Sequence, residues 1–174
     1  IGLDHLDWLP KNEQTIEKII YEKTSNLLNS SIIVSKQSSN DILEKIKKSI
    51  KKNKSKKIIF DNEYTYLINE NNFFYFEDKF GGIKLPYPNI EGKFQLDNIA
   101  TAIAALRSLK LGINEEKIKK GITKIKTVGR LQEIKKGKLK NLAKRNKLLL
   151  DGSHNPLGAK VLVDYLDTLN CQNT

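Results

Sequence analysis

Apolar positions along the chain recur at two intervals. Ile16, Ile19, Ile20 and Leu27 fall at helical spacing, which predicts a helix over residues 14 to about 28 with one buried face. Two β-branched runs, SIIVS at 31–35 and KIIFD at 57–61, read as short strands. Between them Asn40 is placed to cap a helix with Ile42, Leu43, Ile46 and Ile50 inward and lysines outward. The runs 64–68 and 73–76 flank Asn69-Glu-Asn-Asn72, a hairpin signal. Gly81, Gly82, Pro86 and Pro88 then read as a break in regular structure. Residues 97–109 are apolar on most sides and rich in alanine, hence a buried helix. Asn114 caps the next one, with Glu115 and Glu116 in its first turn. KLLL at 147–150 reads as a buried strand that stops at Asp151. Asn155 and Pro156 are N-cap and first-turn signals for a last helix through Leu169. The opening, residues 1–9, reads as the end of a strand. Together these predict an α/β fold with an antiparallel insertion. The composition shifts after Lys126, which divides the chain into 1–126 and 127–174.

Composition narrows the classes. With 39% hydrophobic and 29% charged residues in 174, the chain can bury a core and is neither collagenous nor disordered. The single cysteine, Cys171, excludes an internal disulfide framework and fits a reducing, cytoplasmic setting. No apolar run reaches the roughly 18 residues of a membrane span, so no membrane partner is expected. The net charge of +11 invites a nucleic-acid reading. Only three of the 31 basic residues are arginine, however, and aromatics are few along the lysine stretches. Base readers favour the arginine fork, so lysine-coated solvated faces are the expectation, with no nucleic-acid partner.

Asp151-Gly-Ser-His-Asn-Pro156 lies past a strand and before a helix, the position at which open α/β sheets bind ligands. The helix start offers N–H groups to an anion. Asp151 is placed to accept from ribose hydroxyls or a cation and His154 to donate to a phosphate; the plainer alternative is a capped turn. Arg130 stands in a chain that otherwise uses lysine, consistent with a planar phosphate clamp or with an ordinary ion pair. Asn98, near the start of the alanine-rich helix, fits a base edge or a helix cap. Asp4-His5 is a weak metal signal, and Lys23 reads as a surface lysine. The chain has no G-x-x-x-x-G-K-[ST] loop.

Five segments occur in one order: Ile1-Gly-Leu-Asp-His-Leu-Asp-Trp-Leu9, Glu22-Lys23, Gly92-Lys-Phe-Gln-Leu-Asp-Asn98, Gly129-Arg-Leu-Gln132 and Asp151-Gly-Ser-His-Asn-Pro156. In that order they resemble folylpolyglutamate synthase and the bifunctional dihydrofolate synthase of the Mur ligase superfamily. The resemblance implies residues 1–126 as the later part of a P-loop-type central ATP-binding domain. It implies 127–174 as the linker and first strand–helix unit of a Rossmann-like C-terminal ligase domain. It further implies an ATP-dependent amide ligase joining L-glutamate to a folate or dihydropteroate through an acyl phosphate, with Mg2+ and a monovalent cation. By the same resemblance His5 is a metal ligand and Lys23 the lysine that becomes carbamylated. Asn98 holds adenine, Arg130 reaches the phosphates, and Asp151 and His154 contact ATP. Lys93-Phe94 stands where the family has Arg-His, and Thr24-Ser-Asn26 replaces a glycine-containing run. A chain that begins at Ile1 and contains no methionine is expected to be the middle of a two-domain enzyme, inactive alone and monomeric when full length. The competing expectations are another Mur-type ligase and a basic nucleic-acid-binding module.

Overall fold

A computed structural model describes residues 1–2, 9–27, 30–69, 72–109 and 111–169. The first layer is built on α1 (Ile16–Thr24), β1 (Ile32–Val34), α2 (Asn40–Ile50) and β2 (Lys57–Ile59). The Thr15 hydroxyl caps α1 by accepting from the Lys18 amide at 3.2 Å. α1 stops at Thr24, short of the expected end near Leu28. The Thr24 hydroxyl bonds back to the Ile20 carbonyl at 2.7 Å and meets Ser49 Oγ at 2.7 Å. Such local bonds compete with a further helical turn. Leu28 itself lies outside the described residues. Ser39, not Asn40, caps α2, because Ser39 holds the extended backbone that a cap requires while Asn40 is already helical. β1 and β2 pair in parallel, Ile32 beside Lys57 and Val34 beside Ile59. Ile20, Ile32, Val34, Ile46, Ile50 and Ile59 close a first core between this pair and the two helices.

The hairpin expected over 64–76 forms as β3 (Tyr64–Ile68) and β4 (Phe73–Asp78). The expected break after it is instead a third strand, β5 (Gly81–Pro86), paired antiparallel with β4. Gly81 adopts φ +99 and so permits the tight return from Asp78. Pro86 ends a strand at the sheet edge, where a missing N–H costs little. Phe74, Phe76 and Leu85 point inward and are fully buried. They meet α3 (Phe94–Ser108), whose Ala100 and Ala104 lie one turn apart and let the sheet approach closely. α4 (Glu115–Ile122) closes this second core with Ile118 and Ile122 and is capped by Asn114, which accepts from the Lys117 amide at 3.0 Å. The Tyr64 hydroxyl ties the cores together by donating to the Val34 carbonyl at 3.1 Å.

A linker leads to β6 (Gln132–Glu133), α5 (Lys138–Ala143), β7 (Leu149–Leu150) and α6 (Pro156–Thr168). β7 is two residues long and Leu150 is 48% exposed, so the buried four-residue strand is not observed. β7 pairs only with β6, and among the described residues no third strand flanks it. α5, unforeseen in the sequence, buries none of its residues. α6 starts as expected: Asn155 caps it by accepting from the Gly158 amide at 2.8 Å, with Pro156 as first residue. The whole is a mixed α/β molecule with helices over small sheets. Among the described residues no helix is long and apolar enough to cross a membrane.

Candidate functional site

Asp151 is the hub of the 151–155 turn. Its Oδ1 accepts from the Ser153 amide at 2.8 Å and from the Ser153 hydroxyl. Its Oδ2 accepts from the Leu131 amide at 2.7 Å, twenty residues back in the chain. A second tie runs alongside, from the Gly152 amide to the Gly129 carbonyl at 2.8 Å. Partial burial pushes the Asp151 carboxyl up, but the Ser153 hydroxyl, the Leu131 and Ser153 amides and the Arg130 guanidinium outweigh it. The group is held below the usual aspartate value. Asp151 is therefore first an organiser of backbone, a role closer to the capped-turn alternative than to a free acceptor.

The linker bends to meet it. Gly129 at φ +65 and Leu131 at φ +48 both adopt left-handed backbone, and Gln132 Oε1 accepts from the Gly129 amide at 2.9 Å. A left-handed leucine is uncommon and needs surroundings that enforce it. Here the enforcement is burial: Leu131 is 2% exposed. Its Cδ1 would lie 2.8 Å from a Cβ at Gly92, and Phe94 Cε1 2.6 Å from the same point. Gly92, itself at φ +92, leaves the space that both side chains fill. The bend turns Arg130 outward to the rim of a cleft of about 200 Å³ that Phe94, Leu131, Asp151, Ser153 and Asn155 also line.

Of the expected site residues, Arg130, Asp151 and His154 come together. His154 Nδ1 donates to the Gly152 carbonyl at 2.8 Å, which sets the ring over the turn. Asn98 sits in the second turn of α3, one turn beyond the cleft-lining Phe94. It is exposed and donates to Gln95 Oε1 at 3.0 Å. It is not a helix cap, since α3 begins at Phe94. Lys23 is exposed on the last turn of α1, and its side chain makes no hydrogen bond or ion pair with another described residue. His5 lies outside the described residues, and among those described no cluster of His, Cys, Asp and Glu could hold a metal ion. Sequence reasoning missed Leu131 and Gly92. Their signal is an apolar residue in the Gly129-Arg-Leu-Gln132 segment and a glycine in the Gly-Lys-Phe-Gln segment.

No family model and no curated protein sequence matches the chain. Solved structures do. E. coli FolC, in complex with DHPP and ADP, superposes with a TM-score of 0.77 at 27% identity, covering 99% of this chain and 38% of FolC. A Mycobacterium tuberculosis folylpolyglutamate synthase complexed with ADP and AMPPCP gives 0.75 at 20% identity, covering 96% of this chain and 37% of its own. A Thermotoga maritima folylpolyglutamate synthase gives 0.71 at 23%, covering 88% and 35%. The chain thus spans under two fifths of the length of these relatives. Over that span the resemblance first carried by five short motifs is carried by the structure as well: the chain has the fold of the folylpolyglutamate synthases, members of the Mur ligase superfamily.

Proposed function

We propose that the protein carrying this chain is a cytoplasmic, monomeric ATP-dependent ligase that joins L-glutamate to the carboxylate of a folate or dihydropteroate. The observation that carries this is the interlock of two motifs around one carboxylate, Leu131 N to Asp151 Oδ2, with Arg130 at the rim of the adjoining cleft. It lies in a fold shared with an enzyme solved with ADP and DHPP. In this reading 1–126 completes an ATP-binding domain and 127–174 begins the ligase domain.

Arg130 meets phosphate oxygens with its planar fork, a bidentate geometry that lysine does not offer. The start of α6 and the His154 ring face the same nucleotide, and Asn98 faces the base. The substrate carboxylate attacks the γ-phosphorus and ADP leaves. The glutamate amine then attacks the acyl carbon, phosphate leaves, and the amine proton goes to solvent or base. Positioning and charge neutralisation are what such a transfer requires of the protein. Mg2+ would supply further neutralisation, with His5 as a ligand on the resemblance alone, and a monovalent cation belongs to the same expectation. A carbamate on Lys23 would turn a cation into an oxygen donor; a 13C-carbonate NMR signal lost in Lys23→Ala would register it.

The deciding experiment is ATP turnover by the protein carrying this chain, with dihydropteroate and separately with tetrahydrofolate, each with glutamate. ADP release matched by incorporated glutamate, and dependent on the pteridine substrate, is expected. Activity in dihydropteroate marks a dihydrofolate synthase, in tetrahydrofolate a folylpolyglutamate synthase. Turnover that ignores both, or that requires a UDP-peptide, would sink the proposal.

A further inference from the structure

Phe94 and Val161 line both the Arg130 cleft and a larger cavity of about 520 Å³. Tyr165 walls that second cavity and is the one buried residue of α6, 8% exposed. Its hydroxyl donates to Glu91 Oε2 at 3.1 Å, across 74 residues of sequence. The same oxygen accepts from Lys147 Nζ at 3.5 Å, and that ammonium lies 5.9 Å from the ring centre.

The three partners sit at telling places. Lys147 stands two residues before β7, which leads directly into Asp151. Tyr165 is on the helix that Asn155 starts. Glu91 stands three residues before α3, whose second turn carries Asn98. One hydroxyl therefore ties together the three elements that bear Asp151, the 151–155 turn and Asn98. A phenylalanine would fill the same space but could not hold the two charged groups together.

We propose that Tyr165 is a positioning residue of the ligase site. Bridged between Lys147 and Glu91, its hydroxyl sets the gap across which Arg130 and Asp151 face Phe94 at the start of α3, and with it the affinity for nucleotide. This rests on the ligase reading above. Without the bridge the closed arrangement is less populated. Apparent affinity falls by that fraction, and excess nucleotide restores closure. The loss of one hydrogen bond corresponds to about three- to tenfold.

Two measurements on the protein carrying this chain test it. The first is the split between KM for ATP and kcat. Tyr165→Phe and Glu91→Ala are expected to raise KM about three- to tenfold with kcat within about twofold, and to have no additive effect when combined. Glu91→Gln, which keeps an acceptor oxygen, is expected to stay near the parent. The second is amide exchange without nucleotide: residues 90–93 and 161–168 should exchange faster in Tyr165→Phe, with α3 and the sheet unchanged. Unchanged KM together with unchanged exchange overturns the proposal. So does a fall in kcat at constant KM, the mark of a general folding defect. If the parent shows no folate- and glutamate-dependent ADP release, the ligase reading fails instead, and the exchange rates alone decide whether Tyr165 holds the two sides together.

Discussion

Arg130 and Asp151 are adjacent in the site but differ in what they hold. Arg130 is exposed at the cleft rim, so Arg130→Ala should abolish glutamate ligation and leave the thermal midpoint within a degree or two. Asp151 satisfies two backbone amides and a hydroxyl. Asp151→Ala should lose activity and also about 1–3 kcal/mol of stability, because the Leu131 amide is left without its acceptor. Calorimetry on the two variants separates these outcomes. The acid limb gives a second measurement. The folded-state pKa of Asp151 is lowered, so its ionised form stabilises the fold above the ordinary aspartate value and that contribution is lost as pH falls through the lower folded value. Asp151→Asn should therefore be less stable than the parent at pH 7, with the difference shrinking below about pH 4. Gly92→Ala meets two obstacles at once, a left-handed φ and side-chain atoms within 3 Å of the new Cβ. It should cost about 1–3 kcal/mol and weaken nucleotide binding by moving Leu131, the neighbour of Arg130.

Among the elements, those governed by local rules were legible in sequence. The Asn114 and Asn155 caps, the 64–76 hairpin and the isoleucine face of α2 formed as their patterns predict. β5 was illegible because two glycines and a proline argue against a strand, and only pairing with β4 overrides them. α5 was illegible because it has no buried face for periodicity to announce. The β5 turn is secured by a group that sequence does not single out. Arg107 Nε and Nη2 each donate to the Asp78 carboxylate at 2.8 Å, and Nη2 also to the Gly81 carbonyl at 3.0 Å. Both side chains are largely buried, at 13% and 7% exposure. Arg107→Ala should thus destabilise by about 3 kcal/mol, since it strands a buried carboxylate, and Arg107→Lys should recover only part, lacking the fork. Urea midpoints at constant slope measure both.

Over the whole molecule, burial is unevenly shared. Both cores lie before residue 126, and beyond it only Leu131 and Tyr165 are buried among the described residues. The motif order in the sequence pointed to Arg130, Asp151 and His154, and the structure sets Arg130 and Asp151 on one cleft with His154 in the same turn as Asp151. It could not show that the place is held by Gly92 and Glu91, because contacts 39 to 74 residues apart leave no trace in periodicity. A peptide of residues 127–174 should accordingly show no cooperative thermal transition, whereas residues 1–126 should retain one; circular dichroism of the two pieces decides. The Glu91–Tyr165 bond adds a consequence in time. The ribosome makes Glu91 first, and at about 5–20 residues per second Tyr165 follows some 4–15 s later. Both earlier cores end by residue 125, so all their residues are made before α6 begins. The late helix, with one buried side chain to place, is therefore expected to dock last, onto a surface whose residues were made before it.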